Sequence, residues 1–222
     1  MSDTYEDMLT QRENMYRFLS RLYLKEVDDA LWRRLAEFVF PSETDEKLLT
    51  EGYRTLSDYL KPPGGDPLTD LACDYARIFL GAGVAKGVLP IPCESVYTSR
   101  GHLVQQDAWE AVRKIYAQHG LGSAESDLYE DHLALELEFM AHLCVLARSA
   151  AASSLMSEIS AQLAAQKDFL EHHLLNWVED LARDVHSCAA TPFYHAVANI
   201  TVGFLRLEKT LLSELVPENG AA

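Results

Sequence analysis

Basic residues are scarce in this sequence of 222 residues. Lys and Arg number 19 against 34 Asp and Glu, so the formal net charge is −15 with His counted as neutral. Nucleic acids and anionic membrane surfaces attract proteins that present a basic face. The longest uncharged stretch, residues 185–205, approaches the length of a membrane span but contains two His, a Pro and an Asn. We therefore expect no nucleic-acid partner and no stable membrane insertion.

Closely spaced cysteine pairs are also missing. The four cysteines, Cys73, Cys93, Cys144 and Cys188, are separated by 20, 51 and 44 residues, so the sequence has no CxxC motif that could bind zinc or exchange disulfides. Such spacing is typical of a reduced compartment. Residues 1–10 lack the basic and apolar regions of a secretory signal. Together these features predict a cytoplasmic protein.

Glycine and proline are absent from residues 123–191. β-Hairpins need such residues at their turns, so these 69 residues are predicted to form helices joined by short polar connections. An apolar stripe at helical spacing, formed by Leu133, Leu137, Met140 and Cys144, supports this prediction. We predict an all-α fold in which residues 1–222 form a single-domain bundle of about nine to ten helices. One long irregular loop, about residues 81–99, is expected to interrupt the bundle.

The spacings ExxH and HExxH, through which di-iron bundles and zinc proteases bind metal, do not occur. Two carboxylate–histidine pairs do occur at i, i+4 spacing: His132 with Glu136, and Glu138 with His142. At 100° per residue the two pairs face different sides of a helix, so one helix cannot direct all four groups at one ion. A helical metalloenzyme is one hypothesis for these residues, and a salt-bridged helix surface is its structural alternative.

Several segments together resemble one protein family. Asp131-His132, followed by residues 136–140, resembles the Asp-His motif and following helix of the TorD/DmsD/NarJ family of redox-enzyme maturation chaperones. Residues 75–81 leading to residues 90–97 resemble the family's loop that ends in Glu-Ser-Val-Tyr. Residues 169–177 resemble its His-Leu-x-x-Trp segment, and Phe193-Tyr194 with Phe204-Leu205 resembles its last helix. The order and distances of these segments match over roughly residues 12–212.

The resemblance implies a single-domain, all-helical chaperone of the cytoplasm, not an enzyme, without a cofactor of its own. Its partners would be the twin-arginine signal peptide and the apo-form of a molybdenum-containing oxidoreductase catalytic subunit. The chaperone would hold this subunit from export until folding and cofactor insertion are complete. Both a monomer and a homodimer are compatible with the sequence. The helical metalloenzyme and a generic helical adaptor are the alternative functions.

The candidate peptide-binding residues are Glu94, Ser95, Tyr97, Asp131 and His132, which we expect to lie together on one wall of a peptide groove. A twin-arginine signal presents two guanidinium groups beside an apolar stretch, so its receptor needs carboxylates beside a hydrophobic groove. Glu94 and Asp131 are therefore the expected partners for arginine. Structural alternatives are that Asp131 caps its own helix, that Glu94 bonds loop amides, and that Ser95 and Tyr97 fix the loop.

Overall fold

The computed structural model describes residues 2–61, 66–82, 89–122 and 127–216, and these residues are mainly helical. The ten α-helices in these ranges are α1 (Ser2–Leu24), α2 (Asp29–Glu37), α3 (Lys47–Tyr59), α4 (Pro67–Phe79), α5 (Glu94–Thr98), α6 (Asp107–Gln118), α7 (Leu133–Ala152), α8 (Met156–Phe169), α9 (Val178–Cys188) and α10 (Pro192–Leu215). A π-helical turn, Leu170–Leu174, directly follows α8. The same ranges contain no strand, so the predicted all-α class and number of helices are confirmed. None of these ten helices has the length and apolar character that crossing a bilayer requires.

The irregular loop is shorter than predicted. Residues 83–88 lie outside the described residues, residues 89–92 are irregular, and residues 94–98 form α5. The prediction of a loop that continues to residue 99 is therefore wrong at its C-terminal end. Cys93 occupies the N-cap position of α5, but its side chain makes no capping hydrogen bond. The local sequence thus carried no helix-start signal, and the cap comes from a distant segment described below.

The chain is divided into two compact units. The first unit contains residues 1–21, 93–177 and 208–222, and the second contains residues 22–92 and 178–207. Every residue predicted for peptide binding belongs to the first unit. The single domain expected for residues 1–222 stays a prediction.

Helix α7 forms much of the core of the first unit. The stripe predicted from the sequence, Leu133, Leu137, Met140 and Cys144, is fully buried. Other residues around the same helix, including Ala134, Phe139 and Leu143, are buried as well. Helix α7 packs most extensively against α8. Because α7 is covered on nearly all sides, polar residues in its first turns are also buried.

A buried ion pair joins α1 and α10 within the first unit. The guanidinium of Arg12 donates three hydrogen bonds to Glu208, from Nε to Oε1 at 2.8 Å and to Oε2 at 2.9 Å, and from Nη2 to Oε2 at 2.7 Å. The Tyr16 hydroxyl also donates to Glu208, and Arg12 Nη2 donates to Gln166 of α8 at 2.6 Å. Three helices are therefore connected through one compensated pair of charges.

In the second unit, Asp74 fixes the turn between α9 and α10. Its fully buried carboxylate accepts hydrogen bonds from the main-chain N–H groups of Ala190 and Thr191 and from the Thr191 hydroxyl, at 2.7–2.9 Å. Arg77 donates a further bond at 2.6 Å. Helices α3 and α10 approach closely in this unit, since a Cβ added at Gly203 would lie 2.4 Å from the main-chain nitrogen of Leu49.

Candidate functional site

Asp131 caps the N-terminus of α5. Its carboxylate is fully buried, and Oδ2 accepts a hydrogen bond from the main-chain N–H of Ser95 at 2.8 Å. The main-chain carbonyl of Asp131 accepts a second bond from the N–H of Glu94 at 2.9 Å. The first N–H groups of a helix have no partner inside it, so Asp131 supplies what Cys93 does not. Asp131 is therefore a capping residue, but the helix it caps is α5 and not its own.

His132 caps α7 instead. Its Nδ1 accepts a hydrogen bond from the main-chain N–H of Ala134 at 3.1 Å, and its main chain forms an isolated antiparallel bridge with Cys93. Burial lowers the pKa of His132 to about 4, because the cationic form would lose its hydration. The ring is therefore neutral near pH 7 and can act as an acceptor. The two residues of the Asp131-His132 motif thus cap two different helices, Asp131 capping α5 and His132 capping α7.

Both carboxylate oxygens of Glu94 are occupied by side chains. Nδ1 of His173 lies 2.9 Å from Oε2, and Nδ2 of Asn176 donates to Oε1 at 2.6 Å. A carboxylate can only accept, so His173 carries the proton of this hydrogen bond. The alternative that Glu94 bonds loop amides is wrong, because its partners lie 79 and 82 residues away. Glu94 connects α5 to the segment that follows α8.

Ser95 and Tyr97 fix the position of α5. The Ser95 hydroxyl accepts from the main-chain N–H groups of Gln106 at 3.1 Å and Trp109 at 3.3 Å, which lie at the start of α6. The ring of Tyr97 stacks on Trp177, with ring centroids 5.4 Å apart. The hydrogen-bonding role considered for Ser95 is confirmed, and Trp177 is a core residue.

The structure brings all five predicted site residues together in the first unit. Glu94, Ser95, Asp131 and His132 are buried, with at most 8 % of any residue exposed, while Tyr97 is half-buried. The contacts that they make with one another and with neighbouring helices position the segment around α5. A direct contact between these residues and a peptide stays a prediction.

Glu136 is a buried carboxyl group beside the candidate residues, and the sequence did not place it in the candidate site. It lies on α7, is fully buried, and neither of its carboxylate oxygens has a hydrogen-bond partner among the described residues. Glu94 and Trp177 lie close to it without the geometry of a hydrogen bond. The salt-bridged surface suggested for this segment is correct only for Glu138, whose carboxylate is exposed and lies 3.3 Å from Arg17.

Three buried carboxyl groups therefore share one region of the first unit. Burial raises the pKa of Glu136 well above its usual value, and repulsion from Glu94 and Asp131 raises it further. Burial also raises the pKa of Asp131, although hydrogen bonds from Ser95 oppose this shift. The same negative groups add to the burial effect that raises the pKa of Tyr116. Burial and the neighbouring carboxyl groups therefore favour the protonated form of Glu136 more strongly than in an exposed glutamate.

An open pocket lies beside this cluster. Its volume is about 390 Å³, and its wall includes Trp109, Arg113, Tyr116, Ala117 and Glu130. Two of these side chains interact with Glu130. Trp109 Nε1 donates a hydrogen bond to its carboxylate at 2.5 Å, and Arg113 forms a salt bridge with it at 3.2 Å. Tyr116 forms part of the pocket wall, and its buried hydroxyl has no hydrogen-bond partner in the described ranges.

The His and carboxylate groups do not assemble into a metal centre within the described residues. No group of three or more His, Cys, Asp or Glu side chains there has an arrangement that could hold an ion. His132 caps α7, whereas neither carboxylate oxygen of Glu136 has a hydrogen-bond partner among the described residues. The fold and this site define an all-helical protein with a cluster of buried carboxyl groups in its first unit.

Comparison with known proteins agrees with this class. The model of the nitrate reductase delta subunit family matches residues 43–183. The chain is 32 % identical over 216 residues to the Chaperone protein TorD of Vibrio cholerae serotype O1, with 94 % of each chain covered. It is 26 % identical over 212 residues to the Chaperone protein TorD of Aliivibrio fischeri, covering 91 % of this chain and 95 % of the relative. The chain belongs to the NarJ/TorD family of redox-enzyme maturation chaperones, and it is a chaperone and not an enzyme.

Among solved structures, the chain is similar to a protein from Archaeoglobus fulgidus proposed to be a redox enzyme maturation protein. The two chains are 17 % identical, with 91 % of this chain and 93 % of the other covered and a TM-score of 0.46.

Proposed function

We propose that this chain is a cytoplasmic chaperone that binds the twin-arginine signal peptide of a molybdenum-containing oxidoreductase subunit. It would hold the apo-form of this subunit from export until folding and cofactor insertion are complete. Membership of the family and the relatives named Chaperone protein TorD support this proposal. The net charge of −15 supports it as well, because the peptide presents two cationic side chains.

The observation that carries the proposal is the convergence of Glu94, Asp131 and Glu136 in one part of the first unit. Carboxylates bind guanidinium groups in a planar, directional manner that an ammonium group cannot reproduce. Exposed apolar side chains lie on adjoining segments: Leu103 shortly after α5, and Tyr129 shortly before Asp131. These side chains offer an apolar surface for the hydrophobic stretch of a signal peptide.

The proposal is tested by titrating the full chain with a twin-arginine signal peptide and with the same peptide carrying Lys-Lys. We expect the Lys-Lys peptide to bind more weakly, because it lacks the planar fork of donors. The affinity for the twin-arginine peptide should fall only moderately as salt is raised, because the apolar contact is not screened. Equal affinities for the two peptides at every salt concentration would contradict recognition of arginine.

A further inference from the structure

Glu136 is the only carboxylate of the buried cluster with both oxygens free of hydrogen bonds to the described residues. Oδ1 of Asp131 and the hydroxyl of Tyr116 are also buried without a partner in those ranges. We propose that Glu136, assisted by Oδ1 of Asp131, receives a guanidinium group of the client peptide. This inference rests on the proposed function, and it changes which carboxylates are assigned to arginine.

Glu94 is no longer assigned as a partner for the peptide's arginine, although the sequence favoured it for this role. Both oxygens of Glu94 already accept hydrogen bonds, from His173 and Asn176. An incoming guanidinium would have to share these oxygens with the partners already in place. Glu136 and Oδ1 of Asp131 would lose no such partner. Glu94 is therefore a positioning residue that holds α5 beside the site.

A guanidinium group fits the unpaired atoms chemically. It carries five N–H donors in one plane and no acceptor. The cluster offers three unpaired carboxyl oxygens, two on Glu136 and one on Asp131, and the Tyr116 hydroxyl can also accept. Buried polar groups are nearly always hydrogen-bonded in native proteins, so these unpaired atoms indicate a partner that the described residues do not supply. The peptide's arginine would supply several donors at once.

The pocket at α6 provides an entrance. Tyr116 lines the pocket, and the carboxyl groups that act most strongly on its hydroxyl are Glu136 and Asp131. The cations at the pocket do not bar an arginine, because Arg113 is paired with Glu130 and Lys114 lies 3.7 Å from Glu110.

Exposed Ala117 lies on the pocket wall. Ala117→Trp should therefore slow association of the peptide without lowering the melting temperature, and association at the wild-type rate would overturn this route.

Binding should also release a proton. The groups that face Glu136 are Glu94 on α5, Asp131, Tyr116 on α6 and Trp177, and the nearby carboxyl groups hold its pKa high in the free protein. A guanidinium stabilises the carboxylate, so binding of the arginine lowers the pKa of Glu136. We therefore expect peptide binding to release protons over the pH range in which Glu136 of the free protein titrates, and the affinity to rise with pH through that range.

The test is calorimetric titration of the full chain with a twin-arginine signal peptide, performed in two buffers of different ionisation enthalpy. The wild-type protein should release protons, and Glu136→Gln should abolish this release and weaken binding about tenfold or more. Glu138→Gln is the matched control, because Glu138 lies on the same helix two residues away and is only half-buried. It should leave both the affinity and the proton release unchanged. A peptide with citrulline in place of arginine should bind the wild-type protein and Glu136→Gln with equal affinity.

The outcomes separate the two proposals. If the wild-type chain does not bind the twin-arginine peptide, the proposed function fails. If it binds without releasing protons, or if Glu136→Gln binds as tightly as Glu138→Gln, the assignment of Glu136 is wrong although the function stands. The proton measurement on the wild-type protein does not depend on the folding of a variant.

Discussion

Asp131 combines a structural and a proposed binding role within one side chain. Oδ2 caps α5, whereas Oδ1 has no partner among the described residues. Asp131→Asn keeps an oxygen for the cap and removes the charge. We expect it to melt close to wild type and to weaken peptide binding by about 1.5–3 kcal/mol if the contact is a charged hydrogen bond.

Peptide titration beside a thermal melt checks this prediction. Unchanged affinity with an unchanged melt would remove Asp131 from the binding site. Unchanged affinity with a lowered melt would leave Asp131 with capping as its only role. Asp131→Ala is a poorer test, because the lost cap alone costs about 0.5–2 kcal/mol of stability.

His132 should make the stability of the protein depend on pH. Its pKa in the folded state is about 4, below its ordinary value of 6.5, so the folded state binds this proton less well than the unfolded state. Stability is therefore lost as the pH falls through this range, by about 2–3 kcal/mol between pH 7 and pH 4.5. His132→Asn keeps a capping acceptor but does not titrate, so denaturant unfolding should show a smaller loss over this range. Equal losses in both proteins would contradict a buried, neutral His132.

Burial of Glu136 could have been suspected from the sequence. On the helical wheel Glu136 lies between His132 and the buried Met140, at the border of the apolar stripe. Glu138 occupies a different side of the helix and is only half-buried. The sequence could not show that this border would be covered, because α5 and Trp177, which approach Glu136, come from other parts of the chain. A pattern within one helix specifies its own faces but not what packs against them.

At the scale of elements, the predicted helices agree with the structure where periodicity is strong, and the short α5 was missed. Helix α7 follows the apolar stripe closely, because burial of that stripe stabilises the helix. Helix α5 has five residues and obtains its cap from Asp131, 36 residues away from the N–H that it binds. Such a cap is a tertiary contact and leaves no local signal.

The start of α6 depends on Ser95 in the same way. The Ser95 hydroxyl accepts from two main-chain N–H groups there, so Ser95→Ala leaves both without this acceptor. We expect a loss of about 0.5–2 kcal/mol in the free energy of unfolding, measured with denaturant. Ser160→Ala, which removes an exposed hydroxyl on α8, is the control and should change stability by less than about 0.5 kcal/mol. Equal effects of the two substitutions would contradict the capping role.

At the scale of the whole molecule, the amino-acid composition predicted the fold class. The arrangement of the candidate site depends instead on individual contacts between residues far apart in the sequence. The lack of Gly and Pro over residues 123–191 was sufficient to predict helices there. The buried pair of Arg12 and Glu208 could not be foreseen, because the two residues are 196 positions apart and belong to helices at opposite ends of the chain. The hydrogen bonds of Glu94 to His173 and Asn176 are unforeseeable for the same reason.

The central claim is that the chain recognises a client subunit through its twin-arginine signal. The most direct measurement is capture by the purified full chain of a molybdenum oxidoreductase catalytic subunit, supplied once with its signal peptide and once without it. We predict that the form with the signal peptide is retained and that Arg-Arg→Lys-Lys in the signal reduces retention. Equal retention of the two forms, or of the two signals, would contradict the account.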